Sequence, residues 1–138
     1  MKSGILFVIV LQIFAVMNAS AKNYELFSTQ RPNNEGILVE RVMEVPERVL
    51  SKQQKLDLLT DEVPLLPGQA AKAAHKKFKA LYNRESLGVH VVWLKEISGL
   101  NEEFNHILYY DVRFYDRDVS AFVVLMDGTV VTEKSLNN

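Results

Sequence analysis

The residue types that could do chemistry in this 138-residue chain are few. They are three histidines (His75, His90 and His106), an acidic turn at Asp116-Arg117-Asp118, scattered serines, and an alternating row of Tyr109, Asp111, Arg113 and Tyr115. No two histidines stand four apart on one helix, the spacing that aims a pair of imidazoles at a common metal. A metal site would have to be assembled from three separate segments, and lone histidines of this kind are ordinarily structural or solvent-facing. Asp116 and Asp118 offer two carboxylates to a hard cation. The intervening Arg117 opposes a cage, and a turn between strands uses the same residue types.

Nucleophilic catalysis would need a serine held beside a base and an orienting acid. The chain has no Gly-x-Ser-x-Gly, no His-Glu-x-x-His, no phosphate-cradling glycine loop and no dinucleotide fingerprint. It therefore reads as non-catalytic, with no catalytic residue, no metal and no cofactor to assign. The alternative is a small enzyme with a pocket between helix and sheet, built on His75 or His90 with a carboxylate.

The alternating row carries the binding reading. In Ile107 to Tyr115 the residues Leu108, Tyr110, Val112 and Phe114 share one side, and Tyr109, Asp111, Arg113 and Tyr115 share the other. That period of two is the pattern of a strand with one buried face. If a helix covers the apolar side, the other four residues face solvent or a partner. Tyrosine and arginine concentrate binding energy at interfaces, so these four are the candidate partner-binding residues. The N-terminal strand, or the segment 46–59, could instead fold over and bury them.

Several elements must position that row. Val119 to Met126 is a second strand, and Asp127-Gly128 leads into a third; a two-residue type I′ turn there would set Val124 opposite Val131. Both sides of this hairpin carry valines, so its buried face is not specified. Gln69 to Tyr82, with Pro67 ahead of it, spaces Ala71, Ala74, Phe78 and Leu81 as one helical stripe, with Phe78 and Leu81 as anchors. Lys72, Lys76 and Lys79 gather on another side; with Lys77 they could meet an anionic lipid or polymer, but a solvated helix face is the plainer reading. Val89 to Ile97 reads as a strand, and so does Ile37 to Val45. Residues 46–59 allow a short helix or an irregular connection. Residues 22–35 are polar and turn-prone, a loose N-terminal segment.

Composition bounds the class. Lys2, the apolar run Ile5 to Met17 and the small residues Ala19-Ser20-Ala21 form a secretory leader, cleaved before Lys22, whose apolar stretch is too short to span a membrane. Without it, sixteen basic residues fall to fifteen against seventeen acidic ones, which gives no basic excess for nucleic acid. An exported chain without cysteine must hold together by packing alone. The expected organisation is a leader over 1–21, the loose segment 22–35 and one α+β domain over 36–138. That domain is one main helix on a four- to five-stranded antiparallel meander, secreted or periplasmic.

Four stretches stand together: Pro67-Gly68-Gln69-Ala70-Ala71-Lys72-Ala73-Ala74, Val91-Val92-Trp93-Leu94, Ile107 to Phe114, and Val123-Val124-Leu125-Met126-Asp127-Gly128-Thr129-Val130-Val131. In this order they resemble the PepSY and PepSY-like domains of exported bacterial proteins. The resemblance implies a small helix-on-sheet module of cystatin-like shape, with protease inhibition or partner binding as its role and a protein or protease as its partner. It supplies no catalytic residue. The Gln-x-Val-x-Gly wedge of cystatin-type inhibitors is missing, which argues against inhibition of papain-like proteases. A self-associating structural envelope protein is the remaining alternative.

Overall fold

Two antiparallel sheets and one long helix make the fold, which is α+β. The computed structural model describes residues 22–116, 119 and 121–135; the expected leader lies outside them, as do Arg117 and Asp118 of the acidic turn. In chain order the elements are β1 (Asn23–Pro32), β2 (Leu38–Pro46), a single helical turn α1 (Glu47–Leu50), α2 (Pro67–Tyr82), β3 (Val89–Glu96), a 3₁₀ turn (Glu102–Phe104), β4 (Leu108–Phe114), β5 (Ala121–Leu125), β6 (Val130–Thr132) and β7 (Lys134–Ser135). β3-β4-β5-β6 form a four-stranded meander, and β1-β2-β7 form a second sheet.

Helix α2 starts where the sequence places it. Pro67 takes a first-turn position whose N–H would have no partner, and the Gln69 side chain accepts the Leu66 N–H at 2.8 Å. It ends at Asn83, which adopts the left-handed conformation (φ 50°). Its buried stripe is Ala70, Ala74 and Phe78, a strict four-residue step. The alanines bring the helix close to the sheet, and the Phe78 ring meets Phe114 at 5.2 Å and Phe122 at 6.3 Å. Leu81 lies in the same direction but is half exposed, so it is not the second anchor; the last turn runs on past Phe78, the last helical side chain in the core.

The face of β4 that meets the helix is the expected one, Leu108, Tyr110, Val112 and Phe114, joined by Phe122, Val124 and Met126. Tyr110 also donates its hydroxyl to the Leu65 carbonyl at 2.7 Å, which pins the segment leading into α2.

The β5–β6 turn differs from the two-residue form. Val124 pairs with Val130 and Val123 with Val131, one residue out of the expected register. Only Gly128 has positive φ (85°), whereas a type I′ turn needs both central residues there. Leu125 N–H bonds to the Thr129 carbonyl and Gly128 N–H to the Leu125 carbonyl, which defines a three-residue loop. The Asp127 φ is not positive, and its carboxylate braces the loop by accepting the Thr129 N–H at 2.9 Å and the Gln53 amide at 2.8 Å. Burial works against its charge, but these bonds outweigh it and hold its pKa below the usual carboxylate value.

Both faces of β5 are buried, which resolves the ambiguity of its valines. Val124 faces the helix, while Val123 and Leu125 join a second core with Tyr24, Met43, Val45, Leu50, Phe104 and Tyr109. The molecule is therefore layered as helix, meander and hairpin sheet. Residues 22–35 are not loose: β1 pairs with β2 along its length and turns at Asn33, whose Oδ1 accepts the N–H groups of Glu35 and Ile37. A bulge between Glu25 and Phe27 shifts the inward set, so Tyr24 and Phe27 cannot be read as one alternation. Residues 47–50 form the short helix and the connection beyond is irregular, with Lys55 bridging to Ile107.

Candidate functional site

The expected open face is covered. The hairpin sheet lies over the meander on the side away from α2, and it buries Asp111 completely and Tyr109 and Arg113 largely. Only Tyr115, at 60% relative exposure, remains outside, its ring centroid 4.8 Å from that of His90 and inclined to it at 60°. The four candidate residues thus share one side of β4 as the pattern requires, but they do not form a free surface. An antiparallel sheet with aromatic and β-branched residues on both faces is stable when both are packed.

In that covered position the residues build a charge cluster. Asp111 accepts Nε of Arg113 at 2.6 Å and Nη2 at 2.7 Å, and Lys95 Nζ at 2.7 Å. A carboxylate with no exposed surface is thereby held by three charge-assisted bonds, the condition under which a buried charge is tolerated. The two cations sit between aromatic faces: Arg113 lies 4.9 Å from the Phe27 ring and 5.9 Å from Trp93, and Lys95 lies 5.3 Å and 5.4 Å from the same rings. Burial first, and then the Asp111 charge, pushes the Tyr109 phenol up to about 12, against an opposing pull from Arg113. Trp93 and Lys95 are partners the residue pattern alone did not single out; they lie on the same side of β3 because Trp93 pairs with Asp111 and Lys95 with Tyr109.

The histidines are apart. His75 bonds to Ser86 Oγ through Nδ1 at 3.0 Å and to Glu85 Oε2 through Nε2 at 2.7 Å, and Lys79 pairs with the same Glu85. These contacts fasten the end of α2 to the loop that follows. His106 pairs with Glu96 at 2.8 Å. Asp116 is buried; it takes the Arg84 guanidinium at 2.6 Å and the Leu87 N–H at 2.9 Å, which commits it to the same loop. Among the described residues no group of three histidine, aspartate or glutamate side chains is placed to hold a metal ion. Nor is any described helix long and apolar enough to cross a membrane.

What stays open is an edge. β3 pairs only with β4, so its outer side is unpaired among the described residues. Ile97 N–H bonds to the Ile107 carbonyl, so Lys95, Trp93 and Val91 make the inward bonds by alternation, and Val92, Leu94 and Glu96 direct N–H and C=O outward. Trp93 (49% exposed) and Leu94 (38% exposed) flank this edge on its two faces. The edge carries no proline, and its bulge at His90 falls at one end, leaving Val91 to Glu96 regular. Natural edges are ordinarily blunted by charge, proline or distortion. Here Lys95 is turned inward to Asp111, and Glu96 is paired with His106.

Comparison with protein-family models, with curated proteins and with solved structures returned no match to this chain.

Proposed function

We propose that this chain is an exported, non-catalytic binding module that takes up an extended polypeptide segment along the outer edge of β3. The observation that carries the reading is the regular, unpaired edge from Val91 to Glu96 with Trp93 and Leu94 exposed beside it. Main-chain groups of Val92, Leu94 and Glu96 would supply affinity by strand addition, and the two large side chains would supply selectivity. The Asp111 cluster then has a supporting role, since it holds Lys95 and Trp93 from behind. The leader-like start of the chain supports export. The PepSY-like resemblance supports a protein partner, with an exported protease as one class of target.

Leu94→Pro tests this reading, because it removes an outward N–H while leaving the inward bonds of Trp93 and Lys95 to β4 in place. The natively processed protein and the variant, matched in far-UV circular dichroism, are used as baits against the exported protein fraction. A partner retained by the first and lost by the second, which also slows exchange of the Val92 and Leu94 amides, supports the reading. Equal capture by both, with no change at those amides, refutes it.

A further inference from the structure

Strand β3 of a second copy is an extended segment whose alternation matches that of the β3 edge. We infer that two copies pair antiparallel through this edge, with Trp93 on the two-fold axis, to form one continuous sheet across both molecules. The inference rests on the strand-addition reading and names its partner.

Ladder geometry restricts the choice. Only Val92, Leu94 and Glu96 direct their main-chain groups outward, so a bonded pair across the axis must join two of these, or one of these and His90. Registers that pair an outward residue with an inward one are forbidden. Among those that remain, centring on Lys95 would place each Glu96 carboxylate against Leu94 of the other copy. Centring on Leu94 would place the Glu96 carboxylate against Val92. Centring on Val92 would draw the His90 bulge into the middle of the ladder. Centring on Trp93 has none of these faults. It joins Val92 to Leu94 of the other copy twice, both apolar and both on the helix side.

On the opposite face the same register puts the two Trp93 rings together as a pair without main-chain bonds, the type in which side chains approach most closely. Lys95, already neutralised by Asp111, faces Val91. An isologous contact requires a patch complementary to its own rotated copy, and this short strand satisfies that requirement in ladder alternation and in its paired apolar side chains.

The chain's lack of cysteine gives a direct test, since a single introduced thiol has no competitor. The natively processed protein should double in mass by light scattering as concentration rises, with a shift in the emission of its single tryptophan, and Leu94→Pro should stay at the mass of one chain. Under mild oxidation Trp93→Cys should cross-link to a dimer, while Leu94→Cys, at a bonded pair one residue off the axis, should not. A dimer whose Leu94→Cys form cross-links and whose Trp93→Cys form does not overturns the inferred register, and a dimer unaffected by Leu94→Pro overturns the interface. A protein that stays monomeric while an added extended peptide protects the Val92 and Leu94 amides overturns self-pairing and leaves strand addition standing. A monomer with no protection from any peptide overturns both.

Discussion

Asp111→Ala is the sharpest test of the covered sheet. The substitution deletes a carboxylate with no exposed surface and, with it, two bonds from Arg113 and one from Lys95. Lys95 has more than a third of its side chain in solvent and can turn outward, so its share of the loss is small. Arg113 is only 15% exposed and is held under Phe27, so it would be left as a nearly buried, unpaired cation. Breaking one side of such a pair costs about 3–5 kcal/mol. For a domain of this size that corresponds to a fall in Tm of roughly 12–20 °C. Urea unfolding followed by Trp93 emission and by far-UV circular dichroism would give the loss from two independent probes. Arg113→Met added to Asp111→Ala should recover part of it, because the unpaired charge goes while contact with Phe27 is kept. A single-variant loss below about 1 kcal/mol, or a double variant no better than the single, would refute the placement of these charges between the two sheets.

Phe78→Ala empties the centre of the helix–sheet contact and should cost about 3–5 kcal/mol in the same unfolding assay, whereas Leu81→Ala, at a half-exposed site, should cost far less. Tyr109 makes the protein sensitive to alkali. Its phenol titrates near 10 in the unfolded chain and at about 12 when folded, so the contribution is full below pH 10 and is lost as pH rises toward 12, on the order of 2–3 kcal/mol. Tyr109→Phe should flatten that part of the stability curve. The Lys79 ammonium, and then His75, holds the Glu85 carboxyl below its usual value; its stabilising effect is present above the ordinary carboxylate range and is lost as pH falls through the lowered value. Carboxyl NMR titration should show Glu85 returning toward its ordinary value in Lys79→Met.

The helix and the inner face of β4 were legible because each expresses one clear period, while β3, β5 and β6 were legible as strands from their β-branched and aromatic residues and not from a single buried face. Other features were hidden by interruptions a single residue long. The Leu26 bulge disguised β1 as a polar segment, and the φ of Asp127 moved the last hairpin by one place. Phe104 stands among Glu102, Glu103 and Asn105 in the sequence, with no apolar pattern to mark it, yet its ring is buried at 5.0 Å from Tyr24. The row at Tyr109, Asp111, Arg113 and Tyr115 was correctly placed on one side of β4, but alternation reports sides and not what lies over them. Charged residues on the second side suggested solvent; the structure satisfies them internally by setting Lys95 and Arg113 against Asp111 between aromatic rings.

The short strand β7 joins the two ends of the described chain. Arg41 pairs with Ser135, and Lys134 reaches Glu44, 90 residues earlier in the sequence. Bringing such distant segments together requires closing a loop that spans most of the domain, and folds dominated by pairings of this kind form slowly. The hairpin made first on the ribosome therefore has no sheet to cover until the last strands have been synthesised.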